Sequence, residues 1–306
     1  MNIDKSTRIY VAGCGGMLGA AVYQTLAGVT TVKATDIDIN ETWLTHGDVR
    51  EFAQIRRSIV DFAPHAILNL AAMTDMEQCE LNPENAWLTN ALGAENVALV
   101  AGELDVPHLY ISTAGIFGGE KEFFNDFDTP NPLSIYAKSK YAGEMFIKQN
   151  LRKHYVVRAG WMMGGGPRKD KKFVNKIYRQ IVSGRTELAV VDDKLGTPTF
   201  TLDFARGVLN LLRSDLYGTY NQVCPGSCSR YDVAVRLVQL LGLEGRVHVR
   251  KVSSDHFKDE YFAVRPASEK LVNMKLAARG LLVMRDWEQC LAEYAQEFSA
   301  DLAKRS

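Results

Sequence analysis

A doubly wound α/β fold around a parallel sheet is what this sequence predicts, and three observations carry that expectation. Short β-rich runs alternate with helical stretches through the first half of the chain, and a glycine series joins the first run to the first helix. The run His65-Ala66-Ile67-Leu68-Asn69-Leu70-Ala71-Ala72 is almost continuously apolar, as suits a parallel strand buried on both faces. With 306 residues the chain has room for one large domain and a smaller companion.

Taken in order, Arg8-Ile9-Tyr10-Val11-Ala12 stops at Gly13, and residues 17–26 follow as a helix with an apolar face. Between them Gly13, Gly16 and Gly19 form a G-x-x-G-x-x-G series. The first glycine permits a tight turn, the second lets backbone amides approach a pyrophosphate, and the third allows close helix–strand packing, with the anion at the helix N-terminus. The strand–turn–helix setting is what raises this series above a chance triplet. The next strand, Thr31-Val32-Lys33-Ala34-Thr35, ends at Asp36, about 20 residues past the loop, where a carboxylate accepts hydrogen bonds from ribose hydroxyls and repels a 2′-phosphate. No arginine or lysine follows within Ile37-Asp38-Ile39-Asn40, so NAD(H) is favoured, with NADP(H) as the second choice. The plainer alternative makes Asp36 part of a solvated turn. Asp48 precedes a helix over 51–62 and is either its N-cap or a neighbour of an adenine ring.

Residues 86–103 read as one long helix, and 107–112 as a strand that delivers Ser112-Thr113. In Ile135-Tyr136-Ala137-Lys138-Ser139-Lys140 the i,i+4 spacing of Tyr136 and Lys140 stacks both side chains on one helix face. A phenol titrates near ~10, and an ammonium a few ångströms away favours its phenolate, so Lys140 is expected to tune Tyr136 towards acid–base work at neutral pH. Thr113 adds a hydroxyl for the same reacting oxygen. Alone, such a pair is usually surface decoration; its company decides.

Composition narrows the partners. Thirty-six basic and thirty-six acidic side chains cancel, which leaves no global field to recruit nucleic acid or an anionic membrane and points to a small-molecule site. Five scattered cysteines without C-x-x-C spacing fit a reducing compartment, and six histidines show no metal-ligand clustering, so no metal is expected. No hydrophobic region of a signal peptide follows Met1 and no apolar run approaches the ~18 residues of a membrane helix, so a cytoplasmic protein is expected.

With the glycine loop, Asn69-Leu70-Ala71-Ala72, Ser112-Thr113 and Tyr136-x-x-x-Lys140 in order, the chain resembles the extended short-chain dehydrogenases, which have a Rossmann-type nucleotide domain. Further on, Val157-Arg158-Ala159-Gly160-Trp161, Gly196-Thr197-Pro198-Thr199 and Arg265-Pro266-Ala267-Ser268-Glu269-Lys270-Leu271 look like segments of one branch, the dTDP-4-dehydrorhamnose reductases, and the resemblance covers nearly the whole chain. It implies NAD(P)H-dependent reduction of the C4 ketone of a nucleotide-linked 4-keto-6-deoxy sugar. Thr113, Tyr136 and Lys140 match the catalytic trio: Tyr136 protonates the oxygen, Thr113 orients it, and Lys140 also bonds the nicotinamide ribose. The implied cofactor set is Gly13, Gly15, Gly16, Met17, Leu18, Gly19, Asp36, Ile37, Asp48, Val49, Leu70, Ala71 and Ala72, with Tyr136 and Lys140. Thr74, Trp161 and Arg265 fall on the substrate side; Trp161 either borders the sugar or belongs to the core, and Arg265 either makes a bidentate phosphate contact or pairs with a carboxylate.

One segment departs from the family. Where it usually reads Thr-Asp-Tyr-Val-Phe, this chain has Thr113-Ala114-Gly115-Ile116-Phe117, so an acid and an aromatic are lost beside the reacting carbon; the lost acid also argues against a 4,6-dehydratase. Glu77 stands where the family favours an aspartate and is either its longer substitute or surface charge. Two other outcomes stay open: a 4-epimerase with tightly bound NAD, and a cofactor-binding regulatory subunit.

The second half adds a basic loop, Gly164-Gly165-Gly166-Pro167-Arg168-Lys169-Asp170-Lys171-Lys172, that either closes over a diphosphate or is a solvated loop. Helices are expected over 173–183, 202–212, 230–241 and 287–302, the last packing on its own domain or a partner subunit, and Gly218-Thr219-Tyr220-Asn221-Gln222-Val223 as a strand returning to the main sheet. The nucleotide domain is therefore expected over 1–160 plus about 191–223, and the smaller α/β substrate domain over about 161–190 plus 224–306. A homodimer is the analogy-based expectation for assembly.

Overall fold

A computed structural model of the protein describes residues 1–304. Its main sheet has seven strands: β1 (Arg8–Ala12), β2 (Thr31–Asp36), β3 (Leu44–His46), β4 (Ala66–Asn69), β5 (His108–Thr113), β6 (His154–Ala159) and the late strand Gly218–Asn221. In space the order is the late strand, β6, β5, β4, β1, β2, β3, and every neighbouring pair is parallel. The order reverses between β1 and β4, which places the ligand crevice of such a sheet at their carboxyl ends.

Period-two alternation explains why helices cover both faces. Ile9 and Val11 of β1 join one core with Leu18, Val22 and Leu26 of α1 (Met17–Ala27) and with Phe204, Val208 and Leu211 of the helix Thr201–Ser214. Tyr10 and Ala12 point the other way, to Ile55 and Ile59 of α2 (Phe52–Phe62) and to Val97 and Val100. The late strand pairs with β6 from Gly218↔Tyr155 to Asn221↔Arg158, so the chain does return to the main sheet where the sequence places it. Smaller sheets lie outside this frame, among them the parallel pair Glu187–Val191 and His248–Val252, whose mixed exposure hides it from a hydrophobic reading. Among the described residues no helix is long and apolar enough to cross a membrane.

Two elements differ from expectation. The long helix begins earlier, as Pro83–Trp87, and passes through a π-helical turn, Leu88–Leu92, before continuing as Gly93–Glu103. Asp48 is not the N-cap of α2, a place taken by Glu51. Its carboxylate is claimed by Arg50, which donates from Nε at 3.0 Å and from Nη2 at 2.6 Å, and this guanidinium holds Asp48 below the usual carboxylate range.

The helix Ile135–Asn150 is anchored by a buried ion pair. Ser134 caps it, accepting from the Ala137 amide at 3.2 Å, and Glu80 accepts from the Ile135 amide at 2.8 Å. On its inner face Glu144 accepts from Arg158 of β6 (Nη2 at 2.5 Å) and from Ser112 of β5 (Oγ at 2.9 Å). Arg158 and Glu144 are fully buried, so removing one partner strands the other charge. Glu144→Ala is expected to lower the unfolding free energy by about 3–5 kcal/mol in urea denaturation; a loss within about 1 kcal/mol, the scale of an exposed pair, would show that the pair does not anchor the helix.

Candidate active site

The glycine series does at each position what the turn requires. Gly13 adopts φ +74°, and a Cβ there would lie 2.2 Å from the Ala71 nitrogen, so β1 and the segment after β4 approach each other only because this residue has no side chain. At Gly19 a Cβ would meet the Cys14 carbonyl oxygen at 2.2 Å, which is the close packing of α1 on its own loop. Gly16 is different: a Cβ would meet nothing within 4 Å, and as the N-cap it offers α1 no side-chain acceptor. The first amides of α1 are thus left without a side-chain cap, the arrangement that suits a diphosphate. Gly15 donates its amide to Asp36 Oδ2 at 2.7 Å, and Asp36 Oδ1 accepts from the Asp38 amide at 3.0 Å, so the carboxylate stands rigidly at the end of β2. These residues fit a nicotinamide dinucleotide.

The other proposed cofactor positions divide in two. Ile37 is exposed, and Leu70, Ala71 and Ala72 are half-buried at the carboxyl edge of β4. Met17, Leu18 and Val49 send their side chains into the interior, so only their backbone is free to meet a ligand. The sequence reading weighed only the residues after Asp36 for cations, yet two come from the basic loop. Lys169 Nζ donates to the Gly15 carbonyl at 3.1 Å and to Asn40 Oδ1 at 3.0 Å, and both Lys169 and Arg168 pair with Glu41. The loop is thus no free solvated segment: its Gly166–Lys169 stretch is a short helix packed against the glycine turn.

Thr113, Tyr136 and Lys140 are brought together by β5 and the helix Ile135–Asn150. The Thr113 hydroxyl accepts from the Gly115 amide at 3.1 Å and lies close enough to the Tyr136 phenol to oppose the effect of burial on it. The electrostatics differ from the sequence expectation. Burial pushes the Tyr136 phenol up to about 12, opposed by Thr113 and reinforced by Cys79 and Glu269. The Lys140 ammonium lies over the Tyr110 ring, 4.0 Å from the centroid, and burial brings the amine down to about 7, with Glu144 opposing. Tyr136 is thus held as the acid, while Lys140 sits near the midpoint of its own titration at neutral pH.

Asn90 was missed by the sequence reading and ties the site together. It lies inside the π-helical turn and is fully buried. Its amide nitrogen donates to Ser139 Oγ and to the Met73 carbonyl, each at 3.1 Å, while its oxygen accepts from the Met73 amide at 2.8 Å. The Asn90 backbone carbonyl accepts from the Tyr110 hydroxyl at 3.2 Å, which fixes the ring beneath Lys140. A polar amide within an apolar helix was the available signal.

On the substrate side the missing acid is replaced from a distance. A Cβ on Gly115 would lie 3.3 Å from Glu269 Oε1, and Glu269 Oε2 accepts from Trp161 Nε1 at 2.6 Å. That carboxylate is carried by the Arg265–Leu271 segment, and its charge adds to the effect of burial on the Tyr136 phenol. Thr74 is exposed and accepts from Lys172 Nζ, at 3.0 Å through its hydroxyl. Arg265 takes the carboxylate alternative: its Nη1 is 2.7 Å from Glu77 Oε1 and its Nη2 donates to Oε2 at 2.9 Å. Glu77 is accordingly a partner of Arg265 and not surface charge.

Comparison with known proteins is consistent along the chain. The family described as RmlD substrate binding domain matches residues 7–300. The spore coat polysaccharide biosynthesis protein SpsK of Bacillus subtilis is 30% identical over 96% of this chain and 99% of its own length. A dTDP-4-dehydrorhamnose reductase of Mycolicibacterium smegmatis is 30% identical over 94% of this chain and 84% of its own. Among solved structures, a dTDP-4-dehydrorhamnose reductase of Clostridium acetobutylicum superposes with TM-score 0.86 at 33% identity, covering 97% of this chain and all of its own. Another from Bacillus anthracis, in complex with NADP, gives TM-score 0.87 at 30% identity, covering 95% of this chain and 99% of its own.

The placement of Lys140 is directly measurable. Lysine-selective NMR is expected to show one side chain titrating near pH 7, protonated below and neutral above, and absent from Lys140→Met. A Lys140 titration at the ordinary value, near ~10.4, would contradict the desolvated site.

Proposed function

The chain belongs to the RmlD substrate binding domain family, and from that premise we propose that it is an NAD(P)H-dependent oxidoreductase of deoxysugar biosynthesis, reducing the C4 ketone of a nucleotide-linked 4-keto-6-deoxy sugar. Relatives support this: besides the dTDP-4-dehydrorhamnose reductases, one of Streptomyces niveus, 29% identical, is a dTDP-4-keto-6-deoxy-D-glucose reductase. The single observation that carries it in this chain is the buried Tyr136 phenol set close to the Thr113 hydroxyl, in a chain whose α1 starts at Gly16 without a side-chain cap.

The bound dinucleotide supplies the hydride. The chain's own residues manage the proton and the geometry. A ketone gaining a hydride becomes an alkoxide unless it is protonated, and Tyr136, held protonated at neutral pH, is the donor. Thr113 orients the phenol and the substrate oxygen. Lys140, without a hydrogen-bonding side-chain partner among the described residues, is free to bond the nicotinamide ribose, and its protonated form stabilises the phenolate that proton transfer leaves. Activity is therefore expected to fall as pH rises through the Lys140 titration. In this reading 1–160 and about 191–223 hold the cofactor, and about 161–190 and 224–306 the sugar nucleotide.

Single-turnover loss of NADH or NADPH absorbance against dTDP-, UDP-, GDP- and CDP-4-keto-6-deoxyhexoses tests the reaction. One sugar nucleotide is expected to react, and Tyr136→Phe to slow it by about 10²–10⁴-fold with cofactor affinity retained. Undiminished turnover in that variant, or no reaction with any member despite cofactor binding, would overturn the proposal.

The same reading includes a cytoplasmic location and a homodimer. Leu88, Leu92 and Leu99 form an exposed apolar stripe along the segment Leu88–Glu103, a face that a second copy would cover. Light scattering is expected to give twice the chain mass, and Leu92→Glu with Leu99→Glu to give monomer; a wild-type monomer at micromolar concentration would refute it.

A further inference from the structure

Arg230 lies over Trp161 with two further cations, Arg265 and Lys172, near enough to feel its charge, and the hydrogen-bonding states of the three differ. Arg265 is committed to Glu77 and to the Ala263 carbonyl, and Lys172 to Thr74. Arg230 makes no side-chain hydrogen bond or ion pair with any described residue. Its guanidinium carbon sits 3.7 Å from the Trp161 ring centroid and 5.0 Å from that of Phe173, so the group is stacked and oriented while its five donors stay available.

The platform beneath it is rigid. Trp161 is held by its indole bond to Glu269, by its backbone bond to the Thr197 carbonyl at 2.9 Å, and by parallel pairing with Pro198. Gly196 lies against the same indole, since a Cβ there would fall 2.4 Å from the ring. Burial lowers the Arg230 pKa to about 10, with Glu269 opposing, so the group remains charged at neutral pH yet lacks a bonded counter-ion. A partly buried, charged fork with no hydrogen-bonded partner among the described residues suits a two-oxygen anion. Glu269 relates this arrangement to the phenol: its charge raises Tyr136, and its Oε2 holds the Arg230 platform.

We propose that Arg230 is the residue that binds the diphosphate of the sugar nucleotide, with Trp161 as its platform. This rests on the substrate class proposed above. The anion would lie across Trp161 from Glu269, leaving the sugar between Arg230 and Tyr136. The sequence reading left Arg265 open between a phosphate contact and a carboxylate partner, and its pairing with Glu77 leaves it less available for phosphate.

Calorimetric titration with dTDP, UDP, GDP and CDP reads this directly and does not depend on turnover. At least one is expected to bind the wild type; Arg230→Gln should weaken it by about 10- to 100-fold, the range for a charge-assisted hydrogen bond, and Arg230→Lys by less. NADH affinity and melting temperature should stay unchanged, and Arg265→Gln should have a smaller effect. Equal affinity in Arg230→Gln, a larger loss in Arg265→Gln, or loss of NADH binding together with the diphosphate would each overturn the assignment while the reductase proposal stands. If no nucleoside diphosphate binds the wild type although NADH does, the substrate class fails and this inference with it.

Discussion

The carboxylate of Glu144, shared in the interior between Arg158 and Ser112, fixes a helix against two strands at once, and the geometry of the site descends from that arrangement. Tyr136, Lys140 and Glu144 follow one another at four-residue intervals, so the face that carries the chemistry also carries the anchor. Ser112 is the residue before Thr113 on β5. Holding one neighbour of Thr113 to Glu144 sets how far its hydroxyl stands from the Tyr136 phenol. Burial makes the pair unforgiving: Glu144 has no access to water with which to compensate a lost partner.

Desolvation does most of the electrostatic work. It raises the phenol and lowers the amine, in opposite directions for the same reason, because each charged form is disfavoured away from water. The cation–π contact with Tyr110 and the charge of Glu144 one turn on both favour the ammonium, which keeps the Lys140 titration near neutrality instead of well below it. Phenol and amine are thus poised by the wall around them more than by each other.

Much of the frame was legible in the sequence because it is written in local patterns. Gly13, Gly16 and Gly19 each have a steric meaning that survives without coordinates, and the i,i+4 spacing of Tyr136 and Lys140 follows from helix geometry alone. What was not legible is made by residues distant in the chain. Glu269 reaches Trp161 across 108 positions, Lys169 reaches Gly15 across 154, and Arg265 reaches Glu77 across 188. Lys140 is legible in its position but not in its surroundings: the i,i+4 rule places it on the right face, but the ring that its ammonium meets, Tyr110, comes from β5. Asp48 illustrates the local version of the problem, since a cap signal four positions ahead of α2 was overridden by an arginine two residues away.

The π-helical turn at Leu88–Leu92 has a consequence for the outer surface of the protein. An extra residue in a helical turn shifts the phase of everything downstream relative to everything upstream. Asn90, inside the turn, faces Met73 and Ser139, whereas Leu92 and Leu99, at its end and beyond, face outward. One irregularity therefore sets the register of two surfaces simultaneously. Deleting a residue to restore a regular ladder would swing the inner amide away from its partners and rotate the outer leucines with it, so the interior of the site and the exterior of the protein are geared to the same turn.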